Sequence, residues 1–284
     1  MLLTAESCSG CFMEQATMRD EKDTGDMGTS EGELATSTGY DLRGRRLMTV
    51  AEFAQGLDLG MHFSHVDGAD LDEGCRLALE RGLAAVTCRP DQLPMAARQL
   101  AGSAVSVVSG LSFHARREAP ICGAGWRREA RALSGQGATE LAVIATPERL
   151  RDSGGAPFYD ALEELLSAQR ADGYRLRVHL DTGGLTDAEI TAACQRLAAA
   201  GVWMVQGGSW KGERTAFRHL ERMRTALGPG PLLKWTHPVT FHVMLLAMAY
   251  GVDRFNADVV QLLQEADRKG RYAPIAVPLA GIDF

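Results

Sequence analysis

Lysine is scarce in this chain. Lys22, Lys211, Lys234 and Lys269 are the whole set in 284 residues, and every other strongly basic position is arginine. Each lysine therefore merits inspection. No apolar run approaches the ~20 residues that a membrane-spanning helix needs. The opening Met1-Leu2-Leu3-Thr4-Ala5-Glu6 has no basic leader and too short an apolar stretch for a signal peptide. A cytoplasmic location is the expectation, with no membrane partner. Basic excess is also missing. The net charge of −6 argues against the clustered positive footprint of a nucleic-acid binder.

Motifs are as sparse as lysines. The six cysteines, Cys8, Cys11, Cys75, Cys88, Cys122 and Cys194, are scattered, and a chain this long without secretion signals is a poor candidate for a disulfide framework. Cys75, Cys88 and Cys194 fall inside apolar patterns, where buried reduced thiols are ordinary. Cys8 and Cys11 form a lone C-x-x-C with neither a following βαβ context nor two further ligands. No G-x-G-x-x-G follows the first predicted strand, and no Walker sequence, H-x-H or H-E-x-x-H is present. No cofactor and no metal are expected.

The chain has two compositional parts. Residues 1–46 are rich in Gly, Ser, Thr, Asp and Glu without a sustained apolar period. Such a segment cannot bury enough surface to offset its ordering entropy, so it reads as a flexible leader. The chain as a whole is 45% hydrophobic, enough for one core in residues 47–284. A short helix over 48–55 leads in. Apolar runs typical of buried parallel strands follow at 57–63, 83–88, 104–109, 140–145, 176–181, 202–206, 231–236 and 253–257. Helical periods alternate with them at 69–81, 91–101, 124–135, 157–172, 186–200, 213–227, 239–250 and 258–268. Eight strand–helix units in strict order predict a closed (β/α)₈ TIM barrel, whose site lies at the C-terminal ends of the strands.

That rule selects the polar residues at strand ends. Strand one offers Asp58 and His62, strand five His179 and Asp181, strand six Gln206. Strand seven offers Lys234 and Thr236, with His237 just beyond, and strand eight ends in Asn256, with Asp258 after it. Lys234 is the sharpest of these, because it interrupts a run that should be buried on both faces. A lysine is almost never fully buried unless paired or functional. It is either neutralised by Asp58, Asp181 or Asp258, or kept as an amine of depressed pKa suited to catalysis. His179 and Asp181, two apart, face one side and are either an acid–base pair or a satisfied polar layer. Trp210, after Gly207 and Gly208, is either a lid or a packing residue. His62, His65 and His237 lack metal-ligand spacing. His114, beside Arg116 and Arg117, reads as solvated, and His219 and His242 as surface or packing residues of helices.

Several blocks resemble the deoxyribose-phosphate aldolase family. From Ala69 to Pro94, a helix ending at Gly82 leads to the strand Ala84-Ala85-Val86, then Pro90 and Pro94. The segment Thr182-Gly183-Gly184-Leu185-Thr186-Asp187-Ala188-Glu189-Ile190 is similar to the family's Leu-Thr-Asp-Glu-Glu-Ile. Ala200-Gly201-Val202-Trp203-Met204-Val205-Gln206 is similar to its Ala-Gly-Ala-Asp-Phe-Val-Lys. The resemblance runs over about 48–268 and implies the family's barrel. It also implies departures. The family's Schiff-base lysine on strand six corresponds to Gln206, and its strand-four aspartate to Ala142. Its strand-seven lysine and strand-one aspartate are retained as Lys234 and Asp58. Its glycine-rich phosphate grips correspond to Thr236-His237-Pro238 and Asn256-Ala257-Asp258, and a proline offers no N–H while an aspartate repels a dianion.

The expected function is an aldolase-superfamily lyase or cyclase acting on an unphosphorylated carbonyl substrate in specialised metabolism, not on a phosphorylated sugar. Lys234, Asp181, His179 and Asp58 are the expected catalytic residues. Gln206, His237, Trp210, Asp258, His62, Thr236 and Asn256 are the expected substrate contacts. The alternatives are a non-covalent cyclase or isomerase, and a catalytically dead barrel that binds a ligand or partner. The expected partner is a small molecule, with a homodimer or other homo-oligomer as the assembly.

Overall fold

The computed structural model describes residues 39–41, 44–111, 123–209, 215–236 and 240–280. A hairpin comes first, β1 (Gly39–Tyr40) against β2 (Arg46–Met48), antiparallel. The Asp41 carboxylate closes it, accepting from the Arg45 backbone N–H at 2.9 Å and from its Nε at 2.7 Å. Composition places residues up to 46 in a flexible leader, and the hairpin corrects that for 39–41 and 44–46. Its third strand comes from the far end of the chain, a pairing that no local period reveals. Residues 1–38 lie outside the described residues.

Helix α1 (Val50–Ala54) starts at Thr49, whose side chain accepts from the Glu52 N–H while Glu52 reaches back to the Thr49 N–H. The barrel then runs β3 (Leu57–Gly60), α2 (Gly68–Arg81), β4 (Ala85–Thr87), α3 (Leu93–Gln99), β5 (Ser106–Gly110) and α4 (Gly123–Gly135). It continues with β6 (Glu140–Ala145), α5 (Pro147–Arg151), α6 (Ala156–Asp172), β7 (Arg175–Asp181), α7 (Asp187–Ala199) and β8 (Met204–Gly208). It closes with α8 (Phe217–Leu227), β9 (Leu232–Thr236), α9 (Phe241–Ala249), β10 (Arg254–Asn256) and α10 (Val259–Gly270), and β11 (Ile275–Ala276) then pairs with β2.

Strands β3 to β10 form one closed parallel barrel in sequence order, β10 returning to β3. The TIM-barrel expectation holds, and each observed barrel strand overlaps its predicted run. Thr186 and Glu189 form the capping box read from sequence at the start of α7. Helix α5 was not anticipated. Pro147 at its first turn and Thr146 accepting from the Arg149 N–H explain it.

Side chains alternate along every barrel strand. One set is apolar and buried under the helices: Leu57, Val86, Leu141, Val178, Val205, Leu233 and Phe255 are all fully covered. Trp235 belongs to this set, its ring 5.6 Å from that of Phe217. Cys75, Cys88 and Cys194 are buried free thiols, and burial pushes them up to about 11, 12 and 12 respectively. No helix among the described residues is long and apolar enough to cross a membrane.

Candidate active site

The other set of alternating residues points inward and is strongly polar. Register ties its central layer together: His179 pairs with Gln206, Gln206 with Lys234, Lys234 with Arg254, and Asn256, two on from Arg254, with Asp58. Five buried charges meet inside the barrel. Lys234, 1% exposed, places Nζ 2.5 Å from Asp58 Oδ2. Arg177 Nη1 reaches the same oxygen at 2.8 Å from the opposite side of the barrel. Arg254 Nε donates to Asp58 Oδ1 at 2.8 Å, and its Nη1 lies 3.3 Å from Glu140 Oε1. Glu140 also accepts from Arg175 Nη2 at 3.1 Å. The Arg175 guanidinium stacks 4.0 Å from the centre of the Trp203 ring at the N-terminal end of the barrel.

Charge in this cluster does not balance. Lys234, Arg177 and Arg254 carry three positive charges against the two of Asp58 and Glu140. Burial pushes the Asp58 carboxyl up, but Lys234, Arg254 and Arg177 outweigh it and hold it well below the usual carboxylate range. For Lys234 burial is the largest influence and drives its pKa down. Asp58 opposes this, Arg177 and Arg254 reinforce it, and the ammonium ends at about 7. Arginine does not give up its proton in proteins. Lys234 is thus the cation able to bring the cluster to neutrality. Of the three possible carboxylate partners read from sequence, Asp58 is the one it uses.

The mouth lies one layer higher. His62 follows β3. Burial first, then Lys234, Arg177 and Arg89, lower its pKa to about 4, so it is neutral near pH 7. Its ring stacks on Phe63 with centroids 4.5 Å apart. Arg89 pins that loop, donating from Nη1 to the Phe63 carbonyl at 2.6 Å. Asn256 and His62 converge on Gly60: a Cβ there would lie 3.3 Å from Asn256 Oδ1 and 3.4 Å from His62 Cε1. Thr236 pairs with Asn256 in register. Gln206 Nε2 lies 2.9 Å from His179 Nδ1. Asp181 is buried at the end of β7, and its Oδ1 accepts from the Gly183 N–H at 3.3 Å.

The structure therefore gathers Asp58, Lys234, His179, Gln206, Asp181, His62, Thr236 and Asn256 on the inner wall and C-terminal rim. Asp258 is placed differently. It is exposed and caps α10, accepting from the Gln261 N–H at 3.2 Å. Trp210, His237 and His114 lie outside the described residues. Among the described residues, no group of three or more His, Cys, Asp or Glu is arranged to hold a metal. His219, read as surface or packing, is buried, with Nδ1 accepting from the Ala216 N–H at 3.1 Å. Sequence reading missed Glu140, Arg177 and Arg254. Their signal was the two-residue alternation itself: Arg177 shares a strand face with His179 and Asp181, and Arg254 with Asn256.

No protein-family model matches the chain. It is 31% identical to deoxyribose-phosphate aldolase 1 of Cutibacterium acnes over 134 residues, 46% of this chain and 58% of the aldolase. The matched segment thus spans under two thirds of that relative's length. A crystal structure described as a deoxyribose-phosphate aldolase from Coccidioides immitis superposes with a TM-score of 0.68 at 24% identity, covering 77% of this chain and 87% of that one. The chain has the deoxyribose-phosphate aldolase fold. The aldolase of Aeropyrum pernix, described as having a unique tetrameric structure, gives a TM-score of 0.65 at 18% identity, over 78% of this chain and 93% of that one. In this aldolase-like barrel, position 206 on β8 holds a carboxamide, and the amine stands one strand away, at the same register level, on β9.

Proposed function

We propose that this protein is an aldolase-type lyase that binds an unphosphorylated carbonyl compound and activates it through Lys234. The observation that carries this reading is the buried three-against-two charge cluster, which favours a neutral amine on Lys234 near pH 7. A neutral amine is the nucleophile that adds to a carbonyl carbon to form a carbinolamine and, after loss of water, a Schiff base. Asp58 stays ionised and orients the amine. His62, Thr236 and Asn256 stand one layer above it, at the C-terminal rim.

Similarity to aldolases supports the reaction class, and two features support a departure from the phosphorylated-sugar reaction of the resembled family. Gln206 has no amine, so a substrate bound as in the resembled family would find no nucleophile on β8. Asp258 puts a carboxylate on the start of α10, where backbone N–H groups would otherwise attract an anion. The pairing of Lys234 with Asp58 favours a second reading, in which Lys234 remains an ammonium and polarises a substrate oxygen without bonding to it, as a cyclase or isomerase would. Homo-oligomer formation is part of the proposal, supported by the tetrameric Aeropyrum pernix neighbour.

Reductive trapping separates the readings. Full-length protein is incubated with acetaldehyde and a panel of unphosphorylated aldehydes and ketones plus cyanoborohydride, then mapped by peptide mass spectrometry. Alkylation concentrated on Lys234 is expected, although it is buried and Lys269 is exposed. Alkylation of Lys269 alone overturns the covalent reading.

A further inference from the structure

Gln206 stands between Lys234 and His179, one strand from each at the same register. Adjacent strands lie ~4.8 Å apart, so the three side chains share one stretch of inner wall. The Gln206 amide nitrogen is 2.9 Å from His179 Nδ1. A carboxamide nitrogen carries two hydrogens and accepts none, so in this amide orientation Gln206 is the donor and Nδ1 the acceptor. A neutral imidazole whose Nδ1 accepts bears its proton on Nε2.

A second feature fixes where the Nε2 edge of the ring sits. A Cβ at position 208 would lie 2.3 Å from His179 Nε2 and 2.9 Å from Cε1. The Nε2 edge of the ring thus occupies the volume that any other residue would fill at the inner end of β8. Glycine leaves that volume open, and the backbone of β8 forms its floor. The amide of Gln206 and the missing side chain of Gly208 act on opposite edges of one ring. One sets its tautomer and the other its place on the rim.

We propose that His179 is a fixed Nε2–H donor that polarises the oxygen of a carbonyl substrate at Lys234, and that Gln206 is the positioning residue that sets its tautomer. The inference rests on the carbonyl reading above. As the Lys234 nitrogen adds to the carbonyl carbon, the carbon–nitrogen bond forms and the π electron pair moves to oxygen. The Nε2–H of His179 stabilises that negative charge as a hydrogen-bond donor and keeps its own proton. The proton that ends on the oxygen is the one the attacking nitrogen sheds. His179 therefore acts by electrostatic stabilisation, and a proton-shuttling role is not required of it. The fixed geometry of the donor, rather than its acidity, is what Gln206 supplies.

The test has two arms on the full chain. In the first, long-range ¹H–¹⁵N spectra of histidine-labelled protein, with His179→Gln used for assignment, are expected to show the Nε2–H tautomer for His179. Gln206→Glu, which accepts but does not donate, is expected to move the ring to the Nδ1–H or doubly protonated form. A wild-type ring in the Nδ1–H form, or a ring unchanged by Gln206→Glu, overturns the role of Gln206. In the second arm, acetaldehyde and cyanoborohydride report the rate of Lys234 alkylation. His179→Phe is expected to slow it on the order of 10²-fold, the effect of losing one oxyanion donor. His179→Gln, which keeps an N–H near the same place, should stay within about tenfold of wild type on the same reasoning. Alkylation of His179→Phe at the wild-type rate overturns the polarising role. Should wild-type Lys234 not react at all, the carbonyl reading and the polarising role fail together, while the tautomer spectra still decide the part of Gln206.

Discussion

The floor and the rim of the barrel are built from the same residue types to different ends. At the floor, Glu140 is fully buried and held by Arg175, Arg177 and Arg254. Every guanidinium there is permanently charged, and the stacked Arg175 and Trp203 close the N-terminal end. Above it, the polar groups are a lysine, two imidazoles, two amides and a hydroxyl: Lys234, His62, His179, Gln206, Asn256 and Thr236. Asp58 joins the two levels, shared between Arg254 and Arg177 and the amine of Lys234. The contrast teaches how a barrel interior can host a titratable amine. The floor supplies fixed charge that cannot relax by proton loss, and the imbalance is passed upward to the one group that can.

The sharpest way to break this comparison is Lys234→Met. Asp58 keeps both arginines in the variant, and the cluster becomes two charges against two. The protein is expected to fold with no loss of thermal stability, while carbonyl trapping falls by orders of magnitude. A folded Lys234→Met protein that turns over an identified substrate at the wild-type rate refutes the division between rim and floor.

Asp58→Asn is expected to do the reverse, acting first on stability. It leaves Lys234, Arg177 and Arg254 with one carboxylate among them. Breaking a buried ion pair by removing one partner costs about 3–5 kcal/mol, measurable by urea denaturation. Glu140→Gln should cost a similar amount or somewhat less, because Arg175 is half-exposed and regains water. Its Lys234 reactivity at saturating aldehyde should survive if the floor is purely structural. A Glu140→Gln protein that is fully stable yet unreactive would merge the two regions into one.

How much of this was legible in the sequence differs between them. Strand order, closure and the burial of Lys234 followed from apolar periodicity and from the rarity of lysine. Asp58 stood among three possible partners for that lysine, and only the folded register selects it. The floor was not read at all. Arg177 and Arg254 lie on the same strand faces as His179 and Asn256, yet a strand-end rule directs attention to the C-terminal rim and passes over charges lower down. Glu140 opens an apolar run and looks like a strand boundary until Arg254 and Arg177 are brought onto it from β10 and β7. The β1–β2–β11 sheet was missed because its strands are only two or three residues long and one of the three comes from the other end of the chain.

A smaller, graded test is pH. Lys234 ends at about 7, against an ordinary lysine value of 10.5. The rate of aldehyde trapping should rise as pH increases through about 7 and then level off as the neutral amine saturates. His62, lowered to about 4, should contribute no step in that range. Stability carries the same signature. Below pH 7 both folded and unfolded chains hold the lysine proton, and the burial penalty is complete. Between 7 and 10.5 only the unfolded chain holds it, so unfolding takes up a proton and stability rises with pH. The rise should appear in wild type relative to Lys234→Met. A difference between the two that stays flat across this window shows that the ammonium remains charged, and it favours the non-covalent reading.

The smallest expected effect concerns Asp258, outside both regions. Its carboxylate accepts from the Gln261 N–H at the start of α10. Losing an N-cap aspartate to alanine typically costs about 1 kcal/mol, so Asp258→Ala should lower the urea midpoint slightly. If that carboxylate also keeps anions from the helix start, the same variant should gain measurable affinity for inorganic phosphate, because the Gln261 N–H loses its side-chain acceptor and joins the other N–H groups that a helix start leaves without an intrahelical partner. Competition between phosphate and a carbonyl probe would then appear in the variant and not in wild type. Phosphate that competes equally in both proteins would show that Asp258 is a cap alone, and the case for an unphosphorylated substrate would return to Gln206 and the rim.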